Sequence, residues 1–475
     1  MLCYSECPDG QQANDLASRW IRVNGSGMTA QNPGLGPVID ENRSATPASS
    51  DYDQRPSIET RALRVIQHIL KRRAQRLLWR GIGAIGYLIR PRHVSNAPLY
   101  PGSSSIRRIL VVRVDLLGDT VLTTPAVAAL HHGYPKAQID ILAQESTASV
   151  LAGERDIAHV ITFNPQVLRQ KGGWRSALRL LVRLRRARYD LAISVSGDIG
   201  SILTRLSGAR RTVGYGGEAY PYMLTDPVAG RRYEVAQHET RYVLALAEAA
   251  GGIVEEECMR PRLHVLPKER QEMTTMLRLA RARFGRTGPI VAMHAGARNG
   301  QAKRWPTRHF AALADQLADE LDALVVVTGA PNEAPLAHEI ARIARYPLLN
   351  ISGKTTLPQL IAILAESDVL VTGDSGPMHI ACAVETPVVV MHGPTDPALS
   401  GPSAPDAIIL RHKLWCSPCY DASSTAECRF GNPICMKAIA PRMVFAAVRK
   451  QLLAHGSLAR HDTDNAGERS AQLLP

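Results

Sequence analysis

From Arg108 onward, short apolar runs alternate with stretches of helical spacing. The first set of runs is Ile109–Val114, Ile139–Leu142, Val160–Phe163 and Leu191–Val195. A second set follows at Ile290–His294, Leu324–Thr328, Leu349–Ile351, Val369–Thr372, Pro387–Met391 and Ala407–Leu410. Between them, helical spacing covers Thr120–His131, Trp174–Arg188, Tyr233–Ala250, Thr307–Glu320, Asn332–Arg345, Thr356–Glu366, Met378–Val384 and Pro441–His455. Runs that are apolar throughout suit strands buried on both faces, and their alternation with helices predicts parallel, doubly wound sheets. The expected fold class is α/β, with two Rossmann-like domains facing each other across a cleft. They occupy residues 105–252 and 267–456, joined by a linker at 253–266.

The flanks break this pattern. Residues 1–56 are rich in Ser, Asn, Gly, Pro and Asp without apolar periodicity, which predicts disorder. Residues 57–104 begin with a basic amphipathic helix. Ile58, Val65, Ile69 and Leu77 recur near helical spacing among Arg61, Arg64, Lys71, Arg72, Arg73, Arg76 and Arg80. Such a helix can lie in an anionic lipid interface, or it can pack on the body with its arginines in water. Residues 457–475 read as a polar tail.

Composition narrows the partners. Of 475 residues, 56 are Lys or Arg and 43 Asp or Glu, a net charge of +13 that favours acidic partners. Only 5% are aromatic, and no basic stretch is interleaved with aromatics, which disfavours nucleic acid. No apolar run reaches the roughly 20 residues that a spanning helix needs, and residues 1–10 do not read as a secretory signal. A cytoplasmic location follows, with peripheral contact on the inner membrane's cytoplasmic face as a further expectation.

Three groups of residues fall at the carboxyl ends of predicted strands, where doubly wound sheets bind ligands. One is the glycine-rich turn Gly373-Asp374-Ser375-Gly376, followed by Pro377 and a helix carrying His379. Free N–H groups at such a helix start, with the dipole behind them, suit a phosphate. A second is Arg113-Val-Asp115-Leu-Leu-Gly118-Asp119. Asp119 there can act as a general base or simply cap the next helix. The third comprises His294-Ala-Gly296-Ala-Arg298 with Lys303-Arg304, and the neighbouring Thr328-Gly-Ala-Pro-Asn-Glu333. Lys303 can neutralise a departing diphosphate or be plain surface charge. Glu333 can accept from ribose hydroxyls or favour the helix dipole in a first turn.

Together, the segments Leu116–Val127, Ala302–Pro306, Val326–Glu333 and Thr372–Pro397 resemble glycosyltransferase family 9, the ADP-heptose:lipopolysaccharide heptosyltransferases. The resemblance spans about Arg108 to Lys450. It implies the GT-B fold, inversion at the anomeric carbon, and no metal requirement for transfer. It also implies roles: Asp119 as base, and Lys303 with the N–H groups of Ser375 and Gly376 on the diphosphate. Asp374 and His379 would organise the turn, Glu333 and Thr328 would lie on the nucleotide side, and Gly393–Asp396 would border the cleft. The implied partners are a nucleotide-sugar donor and a lipid-linked, phosphorylated oligosaccharide acceptor. The stretch 298–302 makes the loop before Lys303 long, and residues before about 100 lie outside the family core.

Cys416, Cys419, Cys428 and Cys435 fall within one short stretch. Their spacing suits a tetrahedral structural zinc site, two disulfides or a compact set of free thiols. Two other functions fit the same architecture: a nucleotide-sugar epimerase, and a non-catalytic nucleotide- or glycan-binding protein. An NAD-dependent dehydrogenase is disfavoured, because no G-x-G-x-x-G follows the first strand.

Overall fold

The structure, a computed structural model, describes residues 98–458 apart from 165–172, 219, 231, 233–236, 299, 420–426 and 429. The predicted disordered segment, the basic helix at residues 57–80 and nearly all of the polar tail lie outside the described residues.

The first half forms β1 (Arg108–Arg113), β2 (Gln138–Gln144), β3 (His159–Phe163), β4 (Leu191–Ser194), β5 (Arg211–Tyr215) and β6 (Asp226–Val228). The second forms β7 (Ile290–His294), β8 (Leu324–Thr328), β9 (Leu349–Asn350), β10 (Val369–Gly373), β11 (Val388–Met391) and β12 (Ile408–Leu410). Each set makes one six-stranded sheet, ordered β3-β2-β1-β4-β5-β6 and β12-β11-β10-β7-β8-β9. Every strand pair is parallel. Read from its other edge, the second sheet has the same order as the first. The winding reverses between β1 and β4 and again between β7 and β10. Crevices open beyond the carboxyl ends at those two points.

Alternate residues of β1 feed two different cores. Leu110 and Val112 pack under Leu184 on the outer face. Ile109 and Val111 enter an inner cluster that also contains Leu360, Leu370, Met378 and Ile380 of the second half. One apolar core thus runs through both sheets. The far face of the second sheet has its own core, with Val291, Phe310, Trp305 and Val448.

Several elements differ from expectation. The helix predicted at Thr120–His131 is two pieces, Leu117–Val121 and Thr124–Gly133. Pro125 has no N–H to offer the preceding turn and crowds its carbonyl, so the chain breaks and restarts there. The helix predicted from Tyr233 spans Glu239–Ala249, where the His238 ring accepts from the Thr240 N–H at 3.3 Å. The helix Pro267–Phe284 was not anticipated. Its buried residues Met273, Met276, Leu277 and Ala280 do have helical spacing, within an otherwise charged stretch.

The two halves touch where two glycines omit a side chain. A Cβ on Gly118 would stand 2.6 Å from the His379 ring, and one on Gly376 would stand 2.9 Å from Leu117 Cδ2. Both are impossible distances, so the helices Leu117–Val121 and Gly376–Ala383 meet this closely only because these positions lack a side chain. Within a helix, Gly118→Ala would by itself be favourable by about 1 kcal/mol. We expect a net loss of about 1–3 kcal/mol from overpacking, measured by urea unfolding. A gain would mean the contact is absent.

Candidate functional site

The turn after β10 is held from three sides. Ser375 takes the N-cap position of the helix Gly376–Ala383 with extended backbone, and Pro377 follows at its second residue. The Ser375 hydroxyl lies 2.8 Å from that of Thr372, which tethers it to the strand. Gly376, at the helix start, has no intrahelical acceptor for its N–H. Lys303 arrives from the loop after β7. Trp305 anchors that loop, buried against Phe310 with its indole N–H donating to the Ile439 carbonyl at 2.8 Å. Lys303 Nζ then donates to Asp374 Oδ2 at 2.9 Å. The Lys303 side chain is only 12% exposed, which removes the surface-charge reading.

Burial would raise the Asp374 pKa, but the charge and hydrogen bond of Lys303, with His392 and His379, hold it below the ordinary range. His379 behaves oppositely. Burial pushes its pKa down to about 4, with Asp374 only partly opposing, so the ring is neutral at pH 7. Burial also depresses His392. His379 Nδ1 and His392 Nε2 have no hydrogen-bond partner among the described residues. Unpartnered buried polar atoms of this kind often mark a ligand site.

Across the crevice, Asp119 sits in the first turn of Leu117–Val121 and follows Gly118, the residue packed on His379. Its Oδ1 faces the guanidinium groups of Arg113 at 3.1 Å and Arg232 at 3.5 Å. Its Oδ2 accepts a long bond from the Leu116 N–H at 3.3 Å. The capping alternative is therefore real, though the geometry adds ion pairs that a cap does not need. Arg113 is wholly buried and also meets Asp115 at 3.4 Å and Glu239 at 2.9 Å. Burial alone would lower its pKa; Asp119, Asp115 and Glu239 reverse the sign and raise it. Arg232 clasps Glu239 through Nε and Nη2 at 3.0 and 2.6 Å.

The nucleotide-side residues are more mixed. Glu333 caps its own turn by accepting from the Ala330 N–H at 2.8 Å, so the helix-start reading holds. Its carboxylate also lies over Gly296, where a Cβ would come within 2.0 Å, and 3.8 Å from His294 Nε2. Thr328 is buried. Its hydroxyl donates to the Met293 carbonyl at 3.2 Å and lies 3.2 Å from His294 Nδ1. It therefore supports His294 from behind and is not on the crevice surface.

Cys416, Cys419, Cys428 and Cys435 are free thiols, which rules out the paired-disulfide alternative. Sulfurs around one tetrahedral zinc stand about 4 Å apart. Burial and the neighbouring Cys419, Cys428 and Cys416 raise the Cys435 pKa, so the four thiols lie near one another. Their stretch also braces the cleft border. Cys419 N–H donates to the Pro394 carbonyl at 2.8 Å, and Cys435 and Met436 pack beneath Gly393.

The family model described as glycosyltransferase family 9 (heptosyltransferase) matches residues 177–429, more than half of the chain. The chain belongs to glycosyltransferase family 9. Lipooligosaccharide heptosyltransferase 2 of Haemophilus influenzae is 28% identical over 312 residues, 64% of this chain and 88% of the relative. Lipopolysaccharide heptosyltransferase 2 of Escherichia coli is 27% identical over 318 residues, with the same coverage. The solved E. coli ADP-heptose lipopolysaccharide heptosyltransferase II superposes with a TM-score of 0.59 at 24% identity, covering 73% of this chain and 99% of that one. A family 9 structure from Veillonella parvula gives 0.60 at 21%, covering 73% and 97%. These likenesses confirm the two-domain GT-B architecture and a transferase over an epimerase.

In this glycosyltransferase the structure brings Asp119 near His379, Asp374 and Lys303, all singled out by the sequence, and adds Arg232, Glu239, His238 and His392, which the sequence did not single out. His238 donates from Nε2 to the Gly401 carbonyl at 3.0 Å, a second tie between the halves. A signal for His392 existed, a polar residue closing an apolar run; Arg232 and Glu239 carried none. The low His379 pKa makes a pH prediction. Between pH 6.5 and about 4 the unfolded chain holds a proton that the folded ring refuses, so stability falls on acidification through that window. The loss should be about 3 kcal/mol by urea unfolding at each pH, and His379→Gln should remove most of it.

Proposed function

We propose that this glycosyltransferase moves a heptose from an ADP-heptose donor to a lipopolysaccharide-core acceptor, as the relatives' names describe for those proteins. One observation carries the reading. Gly118 packed on His379, and Gly376 packed on Leu117, support a single crevice shared by Asp119 and the helix start at Ser375–Gly376.

In this account the diphosphate lies on the N–H groups of Ser375 and Gly376. Arg113 and Arg232 hold Asp119 through Oδ1, and Oδ2, which accepts one long bond from the Leu116 N–H, takes the proton of the acceptor hydroxyl on its remaining lone pair. The acceptor oxygen attacks the anomeric carbon from the face opposite the diphosphate. The bond from the anomeric carbon to the phosphate oxygen breaks, and its electron pair leaves with ADP. Lys303 and the helix start meet the charge that develops there. The acceptor would be lipid-linked and phosphorylated, and the enzyme a peripheral visitor to the cytoplasmic membrane face. No helix among the described residues is long and apolar enough to cross a membrane.

Asp119→Asn should lower kcat by roughly a hundredfold to ten-thousandfold, with ADP affinity by calorimetry unchanged. Lys303→Gln should lower kcat by about a hundredfold or more and weaken ADP as well. Since protein groups supply the positive charge, EDTA should leave the rate unchanged. The direct test incubates the protein with ADP-heptose and a truncated core lipid and follows ADP and the extended lipid by mass spectrometry. Tight ADP binding without product from any acceptor would favour a non-catalytic binder.

A further inference from the structure

The helix Trp174–Ala187 has two apolar faces, where a helix on a globular surface needs one. Its inner face is accounted for: Leu184 is buried, and Leu180 and Ala187 pack on the outer core of the first sheet. The outer face is a separate stripe. Trp174 is 62% exposed, Leu178 51% and Val182 39%, spaced four residues apart. Arg175, Arg179 and Arg183 form a parallel exposed row one position along, and the helix contains no acidic residue. The Arg175 guanidinium sits 5.5 Å from the Trp174 ring centroid.

An exposed apolar stripe of this size is a liability in water unless something covers it. A row of cations beside it disfavours a basic partner surface and favours an anionic one. Trp and Leu at the level of lipid headgroups, flanked by arginines, match an interface that is apolar beneath and anionic above. The helix follows β3 and runs back against the strands, so Trp174 lies toward the same sheet edge as Asp119. Resting on this face would keep the crevice close to the bilayer surface.

We propose that the outer face of Trp174–Ala187 docks on an anionic phospholipid bilayer. This deepens the reading of a lipid-linked acceptor and rests on it. Arg185 is tied to the Leu206 carbonyl at 3.2 Å and serves the fold, so it is left out of the test.

The test sediments the full chain with phosphatidylcholine vesicles, with or without phosphatidylglycerol. Wild type should bind only the anionic vesicles, more weakly as salt rises. Arg175→Gln, Arg179→Gln and Arg183→Gln together should weaken binding by roughly a hundredfold, about fivefold for each charge. Leu178→Asp should weaken it by about tenfold or more, with the circular dichroism spectrum unchanged. Equal binding of wild type and the triple variant would overturn the proposal, as would equal binding to neutral vesicles. Turnover on a water-soluble, delipidated acceptor should be the same in wild type and variants. A parallel loss there would mean that the arginines grip the acceptor sugar and would also overturn docking. Absence of turnover in wild type would count against the transferase reading alone, since vesicle binding is read without it.

Discussion

The close approach of Gly118 to His379 and of Gly376 to Leu117 is the constraint on which the arrangement of this protein turns. Each sheet builds a crevice at its own switch point, and either crevice alone would be an ordinary Rossmann-like ligand site. Sugar transfer between two substrates needs a group from each side at one place. Two missing side chains, at distances that no Cβ tolerates, let the helix starts meet. The continuous core from Ile109 to Met378 fixes the same relation through apolar packing.

Charge is distributed unevenly around that meeting point. The first lobe contributes carboxylates, each held by buried or half-buried arginine: Asp115, Asp119 and Glu239 around Arg113 and Arg232. The second contributes a helix start, Lys303 and two histidines that burial keeps neutral. Asp374 restrains Lys303, so the ammonium is positioned before any anion arrives. Removing one partner of a buried pair leaves the other uncompensated, at a cost of about 3–5 kcal/mol. Substitutions at Lys303 or Asp374 therefore call for a folding measurement beside any kinetic one.

Much of this could be read from the residues. Apolar runs such as Leu324–Val327 and Val388–Met391 allowed little besides buried parallel strands, and the turn at Asp374–Gly376 carried its own phosphate-binding logic. Lys303 was legible as a candidate but not as a buried group, because its burial depends on the distant anchor of Trp305 at Ile439. Arg232 and Glu239 were invisible for a similar reason. Their role exists only where loops far apart in sequence converge on Asp119. The break at Leu122–Thr123 was missed despite Pro125, since helical spacing on both sides outweighed one residue in the pattern. The cysteines were legible as a cluster, whereas the contacts of Cys419 and Cys435 with the border at Gly393–Pro394 exist only in the fold.

The most direct test of the central claim is a crystal structure of the protein with ADP bound. The account predicts the terminal phosphate within hydrogen-bonding distance, about 2.7–3.2 Å, of the Ser375 and Gly376 amide nitrogens, with the Asp119 carboxylate facing it across the crevice. ADP seated instead on the first sheet, or with Asp119 turned away from the phosphate, would contradict it.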